Sequence, residues 1–257
     1  MSTLTLAARD SSTMVRRQLK RMIRYPAMTV QLIITPVIIL LLFVYVLGGT
    51  LGNGLGGGRD AYVNYVVPGI LLMTAATAAT GTAVMVATDM TEGIVARFRT
   101  MRISRASVLT GHVVASVVQQ LFGMAVLIGI ALAIGFRPNA GALEWLATAG
   151  MLTLFAVAVT WLSVALGLKS STPEAASNAP MPLILLPFLG SGFVPTDSMP
   201  TALRWFAEYQ PFTPIMETVR GLLLGTPIGN SGAIATAWCA GLAVLSYLWA
   251  KRTYNKA

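Results

Sequence analysis

Charge is what this sequence has least of. Of 257 residues only 11% are Asp, Glu, Lys or Arg, against 55% hydrophobic, and the mean hydropathy is +0.72. Soluble domains carry roughly a quarter charged residues, so the composition excludes an ordinary soluble globule and points to a polytopic membrane protein. A single cysteine, Cys239, excludes an intrachain disulfide and a cysteine-rich zinc site. Set in an apolar run, it reads as a small buried residue. A single histidine, His112, excludes a His-Glu-x-x-His helix, and no Gly-x-Ser-x-Gly elbow occurs. No Gly-Lys dipeptide occurs either, so there is no phosphate-binding loop. The apolar runs hold no carboxylate that would relay protons or bind sodium. No metal or cofactor site is expected. A chain of this kind that moves a solute uphill needs energy from another subunit.

What is present is a series of long apolar stretches. At roughly 20 apolar residues per crossing, the length allows six, with no room for a separate soluble domain. The expected spans are 27–48, 63–88, 107–135, 145–168, 175–192 and 231–250. None contains Lys, Arg, Asp or Glu, each of which costs about 2.5–3.5 kcal/mol at a helix centre. Pro180, Pro182 and Pro187 interrupt the fifth span, which is therefore expected to be kinked or broken. The first apolar run is too long for the core of a cleavable signal, so the N-terminus is expected to stay on the chain. The net charge of +9 would suggest nucleic acid in a soluble protein. Here it follows topology instead: with the N-terminus inside, 14 of the 18 Lys and Arg fall on the cytoplasmic side. Both termini are thus expected in the cytoplasm of a plasma or inner membrane protein, and nucleic acid is not an expected partner. Only Arg59, Arg137, Arg204 and Arg220 lie outside.

Three segments differ from ordinary spans. Residues 11–25 hold an amphipathic helix: at about 100° per residue, Val15, Leu19, Met22 and Ile23 share one face, opposite Arg16, Arg17, Lys20, Arg21 and Arg24. Such a helix lies in the headgroup layer with its cations toward anionic lipid. Residues 89–105 form a polar island between two spans. Ile94, Phe98 and Met101 line one face, with Glu92 and Arg99 pointing away. Asp89 and Glu92 stand at its N-terminal end, where the helix dipole favours anions, and Arg97, Arg99, Arg102 and Arg105 gather toward the other. A topogenic loop needs no apolar ridge, whereas a Phe/Met face flanked by arginine suits a groove on a partner. Residues 193–229, outside, hold two short apolar runs bounded by Pro200, Pro211, Pro214, Gly225 and Pro227. A ten-residue helix covers only about 15 Å, so these pieces dip into the outer leaflet without crossing, as a lid over an exit or as a packed cap. Glu217 and Arg220 are spaced to pair on one helix face.

The small-residue run Thr74–Ala83 suits close helix packing, or its threonines, Thr77 and Thr80 among them, line a passage. Gln119, Gln120 and Asn178 are the other polar groups in or near spans, placed to bridge helices. Residues 48–58 are a glycine-dense loop.

Three blocks carry a family resemblance: Glu92–Arg105, Gly190–Pro200, and Gln210-Pro211-Phe212-Thr213-Pro214 running to Arg220–Gly225. In these, and over nearly its whole length, the chain resembles the integral-membrane permeases of type-2 ABC exporters, and within them the daunorubicin-resistance-like drug permeases. The fold so implied is all-α, a single transmembrane domain over 1–257 with six spans, an N-terminal interfacial helix, a cytoplasmic coupling helix and external re-entrant helices between spans 5 and 6. The resemblance makes 89–105 the coupling helix that docks on a cytoplasmic ABC ATPase, through Glu92, Arg97, Phe98, Arg99, Met101 and Arg102. It implies a second permease copy or related chain, with ATP and Mg bound by the ATPase subunit, and Thr77, Thr80, Asn178, Glu217 and Arg220 near the path or exit. Relatives place a proline where Arg102 stands. The cargo so implied is a lipophilic drug or antibiotic; a lipid, polyketide or glycan intermediate would use similar walls, and a non-transport scaffold or immunity protein would use the same basic helix to bind a partner.

Overall fold

Five of the six apolar runs fold as long helices, as a chain in lipid must satisfy its backbone groups internally. The computed structural model describes residues 26–92 and 105–256. Their order is α1 (Pro26–Leu41), a π-helical turn (Leu42–Leu47), α2 (Gly48–Gly54), α3 (Gly58–Thr91), α4 (Arg105–Ala133) and α5 (Ala142–Lys169). There follow α6 (Pro173–Asn178), α7 (Met181–Leu185), a 3₁₀ turn (Thr196–Ser198), α8 (Thr201–Tyr209), α9 (Phe212–Leu224) and α10 (Ser231–Lys256). No strand occurs among the described residues. Five helical stretches there are long and apolar enough to cross a membrane: Leu32–Gly54, Gly58–Thr91, Leu109–Ala133, Ala142–Lys169 and Ser231–Tyr254. The chain is an all-α multi-pass membrane protein.

The central element is α3, 34 residues long, or about 51 Å at 1.5 Å per residue. Its small residues let neighbours approach closely, as their run predicts. Ala75, Ala76, Ala79, Ala83 and Ala87 have no exposed surface. On α5, a Cβ built at Gly167 would stand 2.5 Å from the Ala83 carbonyl oxygen, so the two backbones are in contact there. By contrast, α10 packs along α5 on one side and turns Ile234, Trp238, Leu245 and Leu248 outward, as a lipid-facing helix does. Cys239 is buried.

The expected fifth span is not a long helix. Its prolines divide it into α6, α7 and a run of turns to residue 194, no helical piece exceeding six residues. It nonetheless follows α3 for most of its length. Ala176 is buried with Ala83 and Ala87, Gly192 touches Gly69 so closely that a Cβ on Gly69 would lie 2.6 Å from the Gly192 carbonyl oxygen, and the Phe193 carbonyl accepts from the Tyr62 hydroxyl at 3.2 Å. Positions 62 to 87 of a helix are about 37 Å apart.

The glycine-dense loop expected at 48–58 is mostly helical. The first crossing runs on through the π turn into α2, and only residues 55–57 turn back. Glycine disfavours helix, but the first apolar run feeds straight into α2, and the Gly52 carbonyl accepts from the amides of Leu55 and Gly57. A Cβ on Gly52 would overlap the Gly58 carbonyl, so the glycine serves a close backbone crossing.

Candidate functional site

The coupling residues Arg97, Phe98, Arg99, Met101 and Arg102, and the interfacial cations Arg16, Arg17, Lys20, Arg21 and Arg24, lie outside the described residues. The root from which the island leaves is described. Glu92 follows the last turn of α3, exposed, with its amide donating to the Thr88 carbonyl at 2.9 Å. Asp89 does not open a separate helix: it is buried two residues before the end of α3, its carboxylate 3.1 Å from Nε2 of His112 on α4. Helical period carries the Val86 face one turn further than hydropathy alone indicates. His112 therefore has a carboxylate partner that no local pattern reveals.

Above that pair α4 carries a line of buried polar residues. His112, Ser116 and Gln120 stand at i, i+4 and i+8, one face of a helix. Thr82 of α3 is bonded to Ser116 at 2.9 Å, and Gln120 donates through Nε2 to Thr160 of α5 at 2.8 Å. Gln120 bridges helices, as expected. The sequence signal for this line is the i, i+4, i+8 spacing of polar residues on an otherwise apolar helix.

The far end of α3 carries a second cluster. Arg220 of α9 lies with its guanidinium carbon 3.8 Å over the Tyr65 ring, donates through Nε to the Tyr65 carbonyl at 3.3 Å and through Nη2 to the Ser191 carbonyl. The Tyr65 hydroxyl donates to that same carbonyl at 2.9 Å. Burial pushes the Arg220 guanidinium below its ordinary pKa, and Tyr65 and Glu217 nearby oppose the shift; arginine stays cationic through such changes. Glu217 and Arg220 do not pair directly: no ion pair joins them, and Glu217 accepts instead from Ser231 Oγ at 3.1 Å. Tertiary partners displace the local one. Gln210 adds a further tie, donating to the Leu186 carbonyl at 3.0 Å. Beside the cluster, the π turn of the first crossing sets Phe43 against Phe193, whose ring stacks on Phe188 at 4.3 Å.

The expected pathway residues do not meet at one point. Thr77 and Thr80 are half-buried and donate to their own helix, to the Met73 and Ala76 carbonyls. They stand about 18–22 Å along α3 from Tyr65, where Arg220 sits. Asn178 is exposed at the end of α6, whose Ala176 packs near Ala83. These residues are strung along α3. Among the described residues no cluster of His, Cys, Asp or Glu is arranged to hold a metal.

The sequence profile of the family described as ABC-2 type transporter matches residues 10–224. The chain is 26% identical over 204 residues to the daunorubicin resistance ABC transporter permease protein DrrB1 of Streptomyces coeruleorubidus, covering 79% of this chain and 70% of that one. It is 24% identical over 214 residues to the probable doxorubicin resistance ABC transporter permease protein DrrC of Mycobacterium tuberculosis, covering 83% of this chain and 78% of that one.

Proposed function

The chain belongs to the ABC-2 type transporter family, and from that premise we propose that it is the permease of an exporter that carries lipophilic drugs or antibiotics outward, driven by a separate cytoplasmic ATPase. The observation that carries this is the extent of the family match, which takes in the basic island and the Gln210–Leu224 block together. The relatives' names favour a drug as cargo over a lipid or glycan intermediate. ATP and Mg are bound by the ATPase subunit, and this chain is no enzyme by itself. The island docks on that subunit, residues 11–25 lie on the membrane surface, and a second permease copy completes the path.

Both termini face the cytoplasm in this reading, and the broken stretch 173–194 is the fifth of six crossings, since it accompanies α3 over about 37 Å. The four cations assigned to the outer side are each engaged locally. Arg59 lies 3.9 Å over the Tyr45 ring. Arg137 donates to the Leu132 and Phe136 carbonyls at the end of α4. Arg204 is held between Asp197 and Glu208, and Arg220 by Tyr65 and Ser191. On the same reading α8 and α9 are the external re-entrant pair. Trp205 and Tyr209 of α8 are two-thirds exposed, as aromatic side chains are at a membrane interface.

The test is co-purification of the chain with candidate cassette ATPases, followed by ATP hydrolysis in the presence of daunorubicin and doxorubicin. Binding with drug-stimulated hydrolysis is expected. Failure to bind any such ATPase sinks the proposal; binding with stimulation only by lipids moves the cargo to the envelope intermediates.

A further inference from the structure

Beside the point where the 93–104 segment leaves α3 and enters α4 sits a buried ionisable pair that the export reading leaves without a role. Asp89 and His112 are 4% and 5% exposed at the side chain and 3.1 Å apart. Local energetics do not account for the carboxylate. It stands at the negative end of the α3 dipole, and it has left water. A well-packed apolar pair at such a site is commonly as stable as a buried ionic one. What the pair supplies instead is a fixed register between two helices across the segment that joins them. One turn away, Val86, Leu109 and Val113 pack with Leu168, Ala250 and Tyr254, so α3, α4, α5 and α10 converge there. Up the same face of α4, Ser116 and Gln120 continue the line of links to Thr82 and Thr160.

We propose that Asp89 and His112 are positioning residues for energy coupling. They bind the two ends of the coupling segment into one stem, so that a push on the segment moves α3 and α4 together. The bond of Ser116 to Thr82 holds α3 and α4 together a turn further up, and the link from Gln120 to Thr160 passes that movement to α5. Without the pair, the push is absorbed by splaying of the two helix ends. This inference rests on the export reading.

The test uses the full chain with its ATPase subunit in proteoliposomes, measuring doxorubicin moved per ATP hydrolysed. In Asp89→Ala and His112→Ala, insertion, co-purification and basal hydrolysis are expected to persist while doxorubicin moved per ATP falls roughly fivefold or more. His112→Gln, whose amide N–H reaches near the place of imidazole Nε2, is expected to recover most of the ratio. An unchanged ratio in the alanine variants overturns the inference. So does loss of the protein from the membrane in all three variants, which would make the pair a folding element. If the unmodified chain binds no ATPase, the export reading fails and this inference with it; if it binds and the ratio is insensitive to the pair, only this inference fails.

Discussion

Arg220 grips Tyr65 twice, with its guanidinium carbon 3.8 Å above the ring centre and its Nε bonded to the carbonyl of the same residue. Because both side chains also bond to the Ser191 carbonyl, α3, α9 and the end of the broken stretch are pinned at one place. Arg220→Ala leaves the Ser191 carbonyl with Tyr65 alone and removes a charged donor and a cation–π contact, a loss of about 2–4 kcal/mol. Arg220→Lys recovers little of it, since an ammonium has no planar fork to lie on the ring while reaching two carbonyls. Thermal unfolding of the purified protein in detergent is expected to start several degrees earlier in both variants. Equal melting of the lysine variant and the parent would show that the fork geometry is immaterial.

The contact of Gly167 with Ala83 sets a harder limit. A methyl group there meets a backbone oxygen at 2.5 Å, and backbone cannot step aside as a side chain can. Gly167→Ala is expected to lower the amount of folded protein in the membrane and Gly167→Leu to abolish it, whereas Gly150→Ala on the same helix, with open space around its Cβ position, is expected to be neutral. Comparison of membrane levels for the three variants decides the point; wild-type levels for Gly167→Leu would refute the close approach.

How much of this was legible beforehand depends on the range of the interaction concerned. Spans follow from hydropathy because lipid imposes the rule residue by residue: three of the six expected spans fall within single long helices, and a fourth, 107–135, overruns the end of α4 by two residues. The break in the fifth was written in Pro180, Pro182 and Pro187. Hydropathy places Asp89 in the island because apolarity ends at Thr88, yet its carboxylate is met by His112, 23 positions away and on another helix. Glu217 and Arg220 are spaced as an i, i+3 pair, but Ser231 and Tyr65 hold them instead. The glycines of 48–54 favour a loop locally, and the chain's return through Gly58 overrides that preference. Of the proposed docking residues only Glu92 is among those described.

The single buried cysteine makes topology simple to test. Cys239 is 2% exposed, so the parent protein is expected to resist maleimides in the folded state. Trp205→Cys places a thiol at a position 66% exposed on α8. In intact cells a membrane-impermeant maleimide is expected to label that variant, and to label Lys251→Cys only after the cells are opened. Labelling of Lys251→Cys in intact cells would invert the orientation.

Phe98 tests the docking reading of the island. If its ring inserts into a groove on the ATPase subunit, Phe98→Ala removes the anchor without touching any span. Membrane levels are expected to hold while drug efflux falls, and ATP hydrolysis by the complex no longer responds to drug. Normal efflux by this variant would return the island to a topogenic role.

Gln120 and Thr160 should respond unequally, although they share one bond. The Thr160 hydroxyl also donates to the Ala156 carbonyl at 2.6 Å, so Gln120→Leu leaves no orphaned donor on α5 and changes stability by less than about 1 kcal/mol. Thr160→Val is the more damaging change. It strips the Gln120 amide of its bond to α5 while Oε1 is already buried without a partner, leaving a wholly unsatisfied amide between apolar helices at a cost of about 1–3 kcal/mol. Adding Gln120→Leu to Thr160→Val then removes the orphan and should restore stability toward that of the leucine variant. Unfolding of the four proteins in detergent closes this cycle. Additive losses, with the double variant the least stable, would mean that the amide finds another partner.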